Sequence, residues 1–356
     1  MFAQPRRYRY KIRERAWLSL HPRTSAQKTS PALVRVSPNA SIRVQEVGAR
    51  ASDVEFLRFA RILASTDRCG GGVACMESAA ALHNIPCKAT SPDVHLLIDR
   101  GCRKRLALPR IDVGNTHLPA AQIIRHEWVV APEVEDVEGV LVTSVRQTIL
   151  DMLRLAPPAD GVTFGCMALR KLVGFDRNNP EVAMERAKSI KAGILKRLKD
   201  EYPHDRRFRQ AIRLLALLTP AVDSVFEATM VWVCHLAGLP AATLQYKLRT
   251  ARTTRYLDAY YPAVGLVLEF DGLCKLGFSF EQELRERRRQ QVRDLELEAC
   301  GLRVVHVQWA ELEELGELVS RLKQMFVRLG GMLLRAREWI TYRMKSWEPR
   351  GSTGWY

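Results

Sequence analysis

The sequence predicts an α/β (α+β) protein, with a mixed sheet flanked by helices toward the C-terminus and a smaller α/β module before it. Three observations carry this. The chain has 356 residues, long enough for more than one domain at roughly 100–200 residues each. Its later part reads in the order helix, strand, strand, strand, helix, strand, helix, the pattern of a sheet covered by helices. Gly and Pro mark the ends of most of these segments.

The elements follow in order. Residues 222–237 have a helical apolar pattern and stop at Gly238 and Pro240, and residues 244–248 suit a strand. Val264, Leu266, Val267, Leu268 and Phe270 form an apolar, β-rich run between Pro262 and Gly272, which predicts a short buried strand. Residues 281–299 are heavily charged, but Leu284, Arg288, Val292, Leu295 and Ala299 recur at helical spacing and Gly301 stands as a C-terminal stop. LRVVHVQW at 302–309 predicts a further strand, and 310–329 a closing helix.

Asp258, Glu269, Asp271 and Lys275 are the candidate chemistry within this pattern. Period-two alternation puts Glu269 and Asp271 on one face of the apolar strand. A hairpin turning at Pro262 returns Asp258 beside the end or the middle of that strand, depending on register. Carboxylates at the end of a buried strand are costly to desolvate and need a cation, an arginine or solvent. Oxygen-only ligands suit Mg²⁺ or Mn²⁺, which can activate water and neutralise a scissile phosphate, with Lys275 adding positive charge. The same residues also allow a structural account, in which Asp258 caps a turn, Asp271 and Gly272 form the next one, and Glu269 pairs with an arginine.

Upstream, residues 54–65 and 75–83 predict helices, 94–98 and 140–142 strands, and 143–153 a helix opened by a Thr or Ser cap. Arg100, Arg103, Lys104, Arg105 and Arg110 form a basic stretch that either contacts phosphate or is a solvated face. Asp151 is expected to pair with Arg146 or Arg154. Residues 1–50, with Arg6, Arg7, Arg9, Lys11, Arg13 and Arg15 near the start, are expected as a basic, flexible arm. The resulting division is an arm at 1–50, a module at 51–171, a basic helical connector at 172–220, the sheet domain at 221–329 and a tail at 330–356.

The formal net charge of +16 is spread along the chain and favours a polyphosphate partner through counterion release. DNA is the expected partner. No apolar run reaches the roughly 18 residues a membrane-spanning helix requires, so no membrane partner is expected. The eight cysteines lack CxxC spacing and no secretory signal precedes them, which predicts reduced thiols in a cytoplasmic protein.

Several segments together carry a resemblance: SVFE at 224–227, AGLP at 237–240, Gln245, RYLDAYYP, LVLEFDGLCK and EACGLRVVHVQWAEL. Over residues 221–327 the chain resembles the DUF559 group of very-short-patch-repair-like endonuclease domains in the PD-(D/E)XK superfamily. The resemblance implies a restriction-endonuclease-like fold and metal-dependent cleavage of DNA. Asp258, Glu269 and Asp271 match the metal ligands, Lys275 a basic position, and Glu227 an acid on the first helix. Two places depart from the pattern. Asp271 stands where the superfamily usually has its lysine, and Gln290 and Gln291 stand near an expected acid, although Arg293 and Asp294 remain close to the usual Arg-acid pair, with Arg293 also a candidate nucleic-acid contact. MESAAALHNIP and VEGVLVTSVRQTILDMLR resemble AbiEi-type antitoxin and transcriptional-regulator proteins, which implies a winged-helix-like, DNA-binding N-terminal module and a toxin partner. The departures make a non-cleaving regulator of a type IV toxin–antitoxin system the alternative to an endonuclease.

Overall fold

The computed structural model describes residues 6–10, 16–22, 33–43, 52–70, 72–87, 91–98, 105–128, 130–137, 139–271 and 280–334. They divide into two compact units. Of these residues, one unit holds those up to Ala156 together with Ala192–Ile212, and the other holds Pro157–Lys191 and residues 213–334. The connector expected at 172–220 is therefore shared between them.

The N-terminal unit opens with strands β1 (Arg6–Tyr10), β2 (Ala16–Pro22), β3 (Leu33–Ser37) and β4 (Ala40–Arg43), joined in a four-stranded sheet of order β1-β2-β4-β3. Strands therefore occupy parts of the stretch expected as a flexible arm over 1–50. Leu20, Val36 and Ile42 are buried in one core with Phe56, Leu57 and Leu63 of helix α1 (Ser52–Arg68). Burial of that apolar face holds β2, β3 and β4 against α1.

Strand β5 (Val73–Ala74), helix α2 (Met76–Leu82) and strands β6 (Val94–Ile98), β7 (Leu106–Leu108), β8 (Ile111–Val113), β9 (Thr116–Leu118), β10 (Ala121–Glu127), β11 (Val134–Val137) and β12 (Val140–Thr143) follow. Six of the strands form one mixed sheet of order β11-β12-β5-β6-β10-β7, and β8 pairs with β9. Helix α3 (Val145–Leu155) is opened by Ser144, whose hydroxyl accepts from the Gln147 amide. That is the cap read from the sequence.

Helices α4 (Pro158–Val173), α5 (Pro180–Glu201) and α6 (Phe208–Leu217) come next. Basic residues of the connector take structural jobs. Lys191 Nζ donates to the carbonyls of Ala216 and Leu218 at the end of α6, and Arg207 donates to those of Arg154 and Leu155 at the end of α3. Cations there complement the exposed carbonyls of a helix C-terminus. Gly165 lets α4 pack closely, since a Cβ there would fall 2.7 Å from both methyl carbons of buried Leu218.

The C-terminal unit continues as expected: helix α7 (Val225–Leu236), strands β13 (Thr243–Arg249), β14 (Thr254–Tyr261) and β15 (Leu266–Asp271), helix α8 (Phe280–Glu298), strand β16 (Arg303–Gln308) and helix α9 (Leu315–Arg328). The sheet order is β13-β14-β15-β16. The first two pairings are antiparallel, and α8 crosses over so that β15 and β16 run parallel. Leu266, Leu268, Ala259 and Tyr261 pack with Phe226, Met230, Leu322 and Phe326 of α7 and α9. Leu257 and Val267 meet Leu297 of α8 instead. The sheet thus carries helices on both faces. Among the described residues, no helix is long and apolar enough to cross a membrane.

Candidate functional site

Glu269 and Asp271 close strand β15, and the ladder between β14 and β15 is paired as far as Ala259 and Leu268. Asp258 follows on as the neighbour of Glu269. The Phe270 amide, which would otherwise extend the ladder, donates to Asp258 Oδ2 at 2.9 Å. The structure therefore brings Asp258 to the acidic end of β15, the first of the two placements the sequence left open.

The partners come from α8 and β16. Arg293 Nη2 lies 2.8 Å from Glu269 Oε1 and 2.7 Å from Oε2, and donates to the Tyr256 carbonyl at 2.8 Å. Gln290 Nε2 donates to Asp271 Oδ2 at 2.9 Å. His306, opposite Glu269 in the parallel register, lies 3.2 Å from Asp271 through Nδ1 and 3.0 Å from Asp294 through Nε2.

Sequence reasoning missed His306. Its signal was a polar residue inside LRVVHVQW, but only the crossover of α8 reveals its partner. Arg293 was expected as a weak nucleic-acid contact, and the structure turns it inward to Glu269.

Glu227 has a different job. Ser224 caps α7 and accepts from the Glu227 amide at 3.1 Å, while the Glu227 carboxylate accepts from the Asp223 amide at 2.7 Å and from the Ser224 hydroxyl at 3.0 Å. The Ser224 hydroxyl thus reaches forward and the Glu227 carboxylate back over the first turn, in the manner of a capping box. Gln245 also donates to Glu227, at 2.9 Å, from a buried position with φ of +50°. A non-glycine residue held there stores backbone strain, which the packing around this corner of the sheet has to offset.

The acids crowd one another. Burial pushes Glu269 up to about 8, with the Asp258 carboxylate adding to the rise and Arg293 opposing it. Burial raises Asp258 as well, against the Phe270 amide. Burial also lifts Glu227 to about 7, with a contribution from Asp258. His306 moves up to about 9, chiefly through its hydrogen bond to Asp271.

Oxygen donors of this kind suit Mg²⁺ or Mn²⁺ by chemistry. Their placement does not suit such an ion. Both Glu269 oxygens face Arg293, Asp271 is held by Gln290 and His306, and one Asp258 oxygen is taken by a backbone amide. Among the described residues, no group of three or more His, Cys, Asp or Glu side chains is arranged to hold a metal. Glu269 and Asp271 instead face Arg293 and His306, and Asp258 faces a backbone amide. The reason is the α8 crossover, which delivers a guanidinium to the acidic strand end.

Lys275, Arg100, Arg103 and Lys104 lie outside the described residues. Arg105 is exposed and reaches the Gln122 side chain at 3.5 Å. Asp151 pairs with Arg154 at 3.6 Å, one of the two partners anticipated.

These shifts have a consequence for stability. Glu269 binds its proton more tightly in the folded chain (about 8) than in the unfolded one, where a glutamate titrates near ~4.3. Its contribution is fully present below the unfolded value and is lost as pH rises through the folded one. The shift of His306 acts in the same direction, between ~6.5 and the folded value of about 9. Thermal melts at stepped pH should therefore show stability falling from mildly acidic to alkaline conditions. Glu269→Gln should remove the portion below pH 8; parallel curves for the two proteins would contradict this.

No protein-family model matches the chain, and neither a curated protein nor a solved structure matches it. The class defined by the coordinates is a mixed α/β protein of two units.

Proposed function

We propose that this protein binds DNA, that its C-terminal unit is a nuclease-like domain of restriction-endonuclease-like fold, and that it acts as a non-cleaving regulator of the antitoxin type. The observation that carries the reading is the double role of α8. Its inward side chains Gln290 and Arg293 satisfy the acids. Arg285, Arg287, Arg288 and Arg289, in the turns of α8 before them, are exposed. Exposed arginines on a helix whose inner residues hold the carboxylates can contact phosphate without the acids repelling it. On the antitoxin resemblance, such a regulator works in the cytoplasm alongside a toxin.

A second reading, metal-dependent endonuclease, is favoured by the mutual crowding of Asp258, Glu269 and Asp271. It requires Arg293 to leave Glu269. Purified protein incubated with supercoiled plasmid and Mg²⁺ or Mn²⁺ separates the two, run beside Asp258→Ala and Glu269→Ala. A gel shift that salt abolishes, with the plasmid left intact, is the expected result. Nicking by the wild type that both substitutions eliminate would establish the endonuclease instead.

A further inference from the structure

The N-terminal unit contains a cavity of about 290 Å³ with several charged and polar side chains in its wall. That volume is close to the lower edge of the ~300–1,000 Å³ usual for small-molecule sites. Arg125, His126 and Trp128 come to it from β10 and the residue that follows, Asp151 and Arg154 from α3, and Tyr202 from the end of α5.

Asp151 is the informative wall residue. It is only 5% exposed, and its Oδ1 accepts from Gln147 Nε2 at 3.1 Å. Its Oδ2 is buried with no hydrogen-bond partner. A buried carboxylate oxygen left unpaired carries the full cost of its desolvation, so the site lacks a donor. Arg154 does not supply it: its Nη1 stands 3.6 Å from the other oxygen, Oδ1, its Nε and Nη2 go to Asp205 at 2.9 and 2.6 Å, and its guanidinium lies over the Tyr202 ring at 3.5 Å.

The remaining chemistry limits what the donor can be. His126 and His95 stack with centroids 5.1 Å apart and share one hydrogen bond of 2.9 Å. Behind them, His95 Nε2 lies 3.5 Å from the buried Glu77 carboxylate. Burial lowers both imidazoles to about 4, so this wall is neutral near pH 7. Arg125 and Arg154 would repel a cation, whereas Asp151 and Glu127 would repel an anion.

We propose that this cavity is a binding site for a small neutral heterocycle presenting adjacent N–H donors to Asp151, a nucleobase of the guanine type, with Trp128 as its flat apolar wall. A carboxylate accepts paired N–H groups in a bidentate arrangement, and an indole face suits a stacked base.

Isothermal titration calorimetry of the full chain with guanosine tests this, with adenosine, which lacks the donor pair, as the comparator. The expected result is guanosine binding at least tenfold tighter than adenosine, weakened at least tenfold by Asp151→Asn and also by Trp128→Ala. Circular dichroism and melting of each variant establish that it is folded; should Asp151→Asn fail to fold, Trp128→Ala decides. No guanosine binding at millimolar concentration, equal binding of adenosine, or unchanged binding in the folded variants would overturn the proposal.

Discussion

Above pH 8, where Glu269 is ionised, Arg293→Met is expected to destabilise the protein by about 3 kcal/mol, the lower end of what is lost when one partner of a buried ion pair is removed. Glu269 is 4% exposed, and both its oxygens rest on the Arg293 guanidinium. With the arginine gone, the carboxylate must protonate or remain charged beside Asp258 and Asp271. The loss should therefore grow with pH. Arg293 is about one-third exposed, which is why the lower end of the range applies. The double variant Arg293→Met with Glu269→Gln should recover much of the loss, because no uncompensated charge is left. Chemical denaturation of the four proteins of this cycle measures the coupling. A vanishing coupling energy would show that the pair holds nothing together.

The second large effect is expected in the N-terminal unit. Arg154 joins Asp205, Asp151 and the Tyr202 ring in one buried network. Arg154→Ala removes the cation nearest to two carboxylates at once, and a loss of roughly 3–5 kcal/mol is expected on the same grounds. Burial already lifts Asp151 to about 6. A carboxyl with a raised folded pKa contributes stability below its unfolded value and loses it as pH rises through the folded one. Without Arg154 that folded value climbs further, so the variant should lag most above pH 6. Denaturation at pH 5 and pH 8 checks this, and an equal deficit at both would show that packing against Tyr202 dominates over charge.

How far the sequence revealed this architecture depended on where each signal was local. Residues 266–271 and 302–309 were legible as strands because apolar β-branched runs between glycines have few other solutions. The charged helix between them was legible from helical spacing alone. The first sheet was not. Arginines alternating with tyrosines in RRYRY, and Ser and Pro further along, dominate the composition, while the buried Val36 and Ile42 that anchor β3 and β4 are few. The acids of the site were legible as a group, and their neutralisation was not. Arg293 lies 24 residues from Glu269 and His306 lies 12 residues from Asp294, separations that only the crossover closes. Glu227 was legible as an acid on the first helix. Ser224 and Glu227 stand at capping-box spacing, a local signal sufficient to assign the glutamate to the start of α7.

The salt dependence of affinity for a short DNA duplex tests the central claim most directly. If α8 lies along the phosphate backbone, log affinity should fall linearly with log salt, and Arg287→Ala with Arg288→Ala should reduce the slope by about 2, one unit for each phosphate contact removed. Affinity that does not change with salt, or a slope the two substitutions leave untouched, would contradict the account.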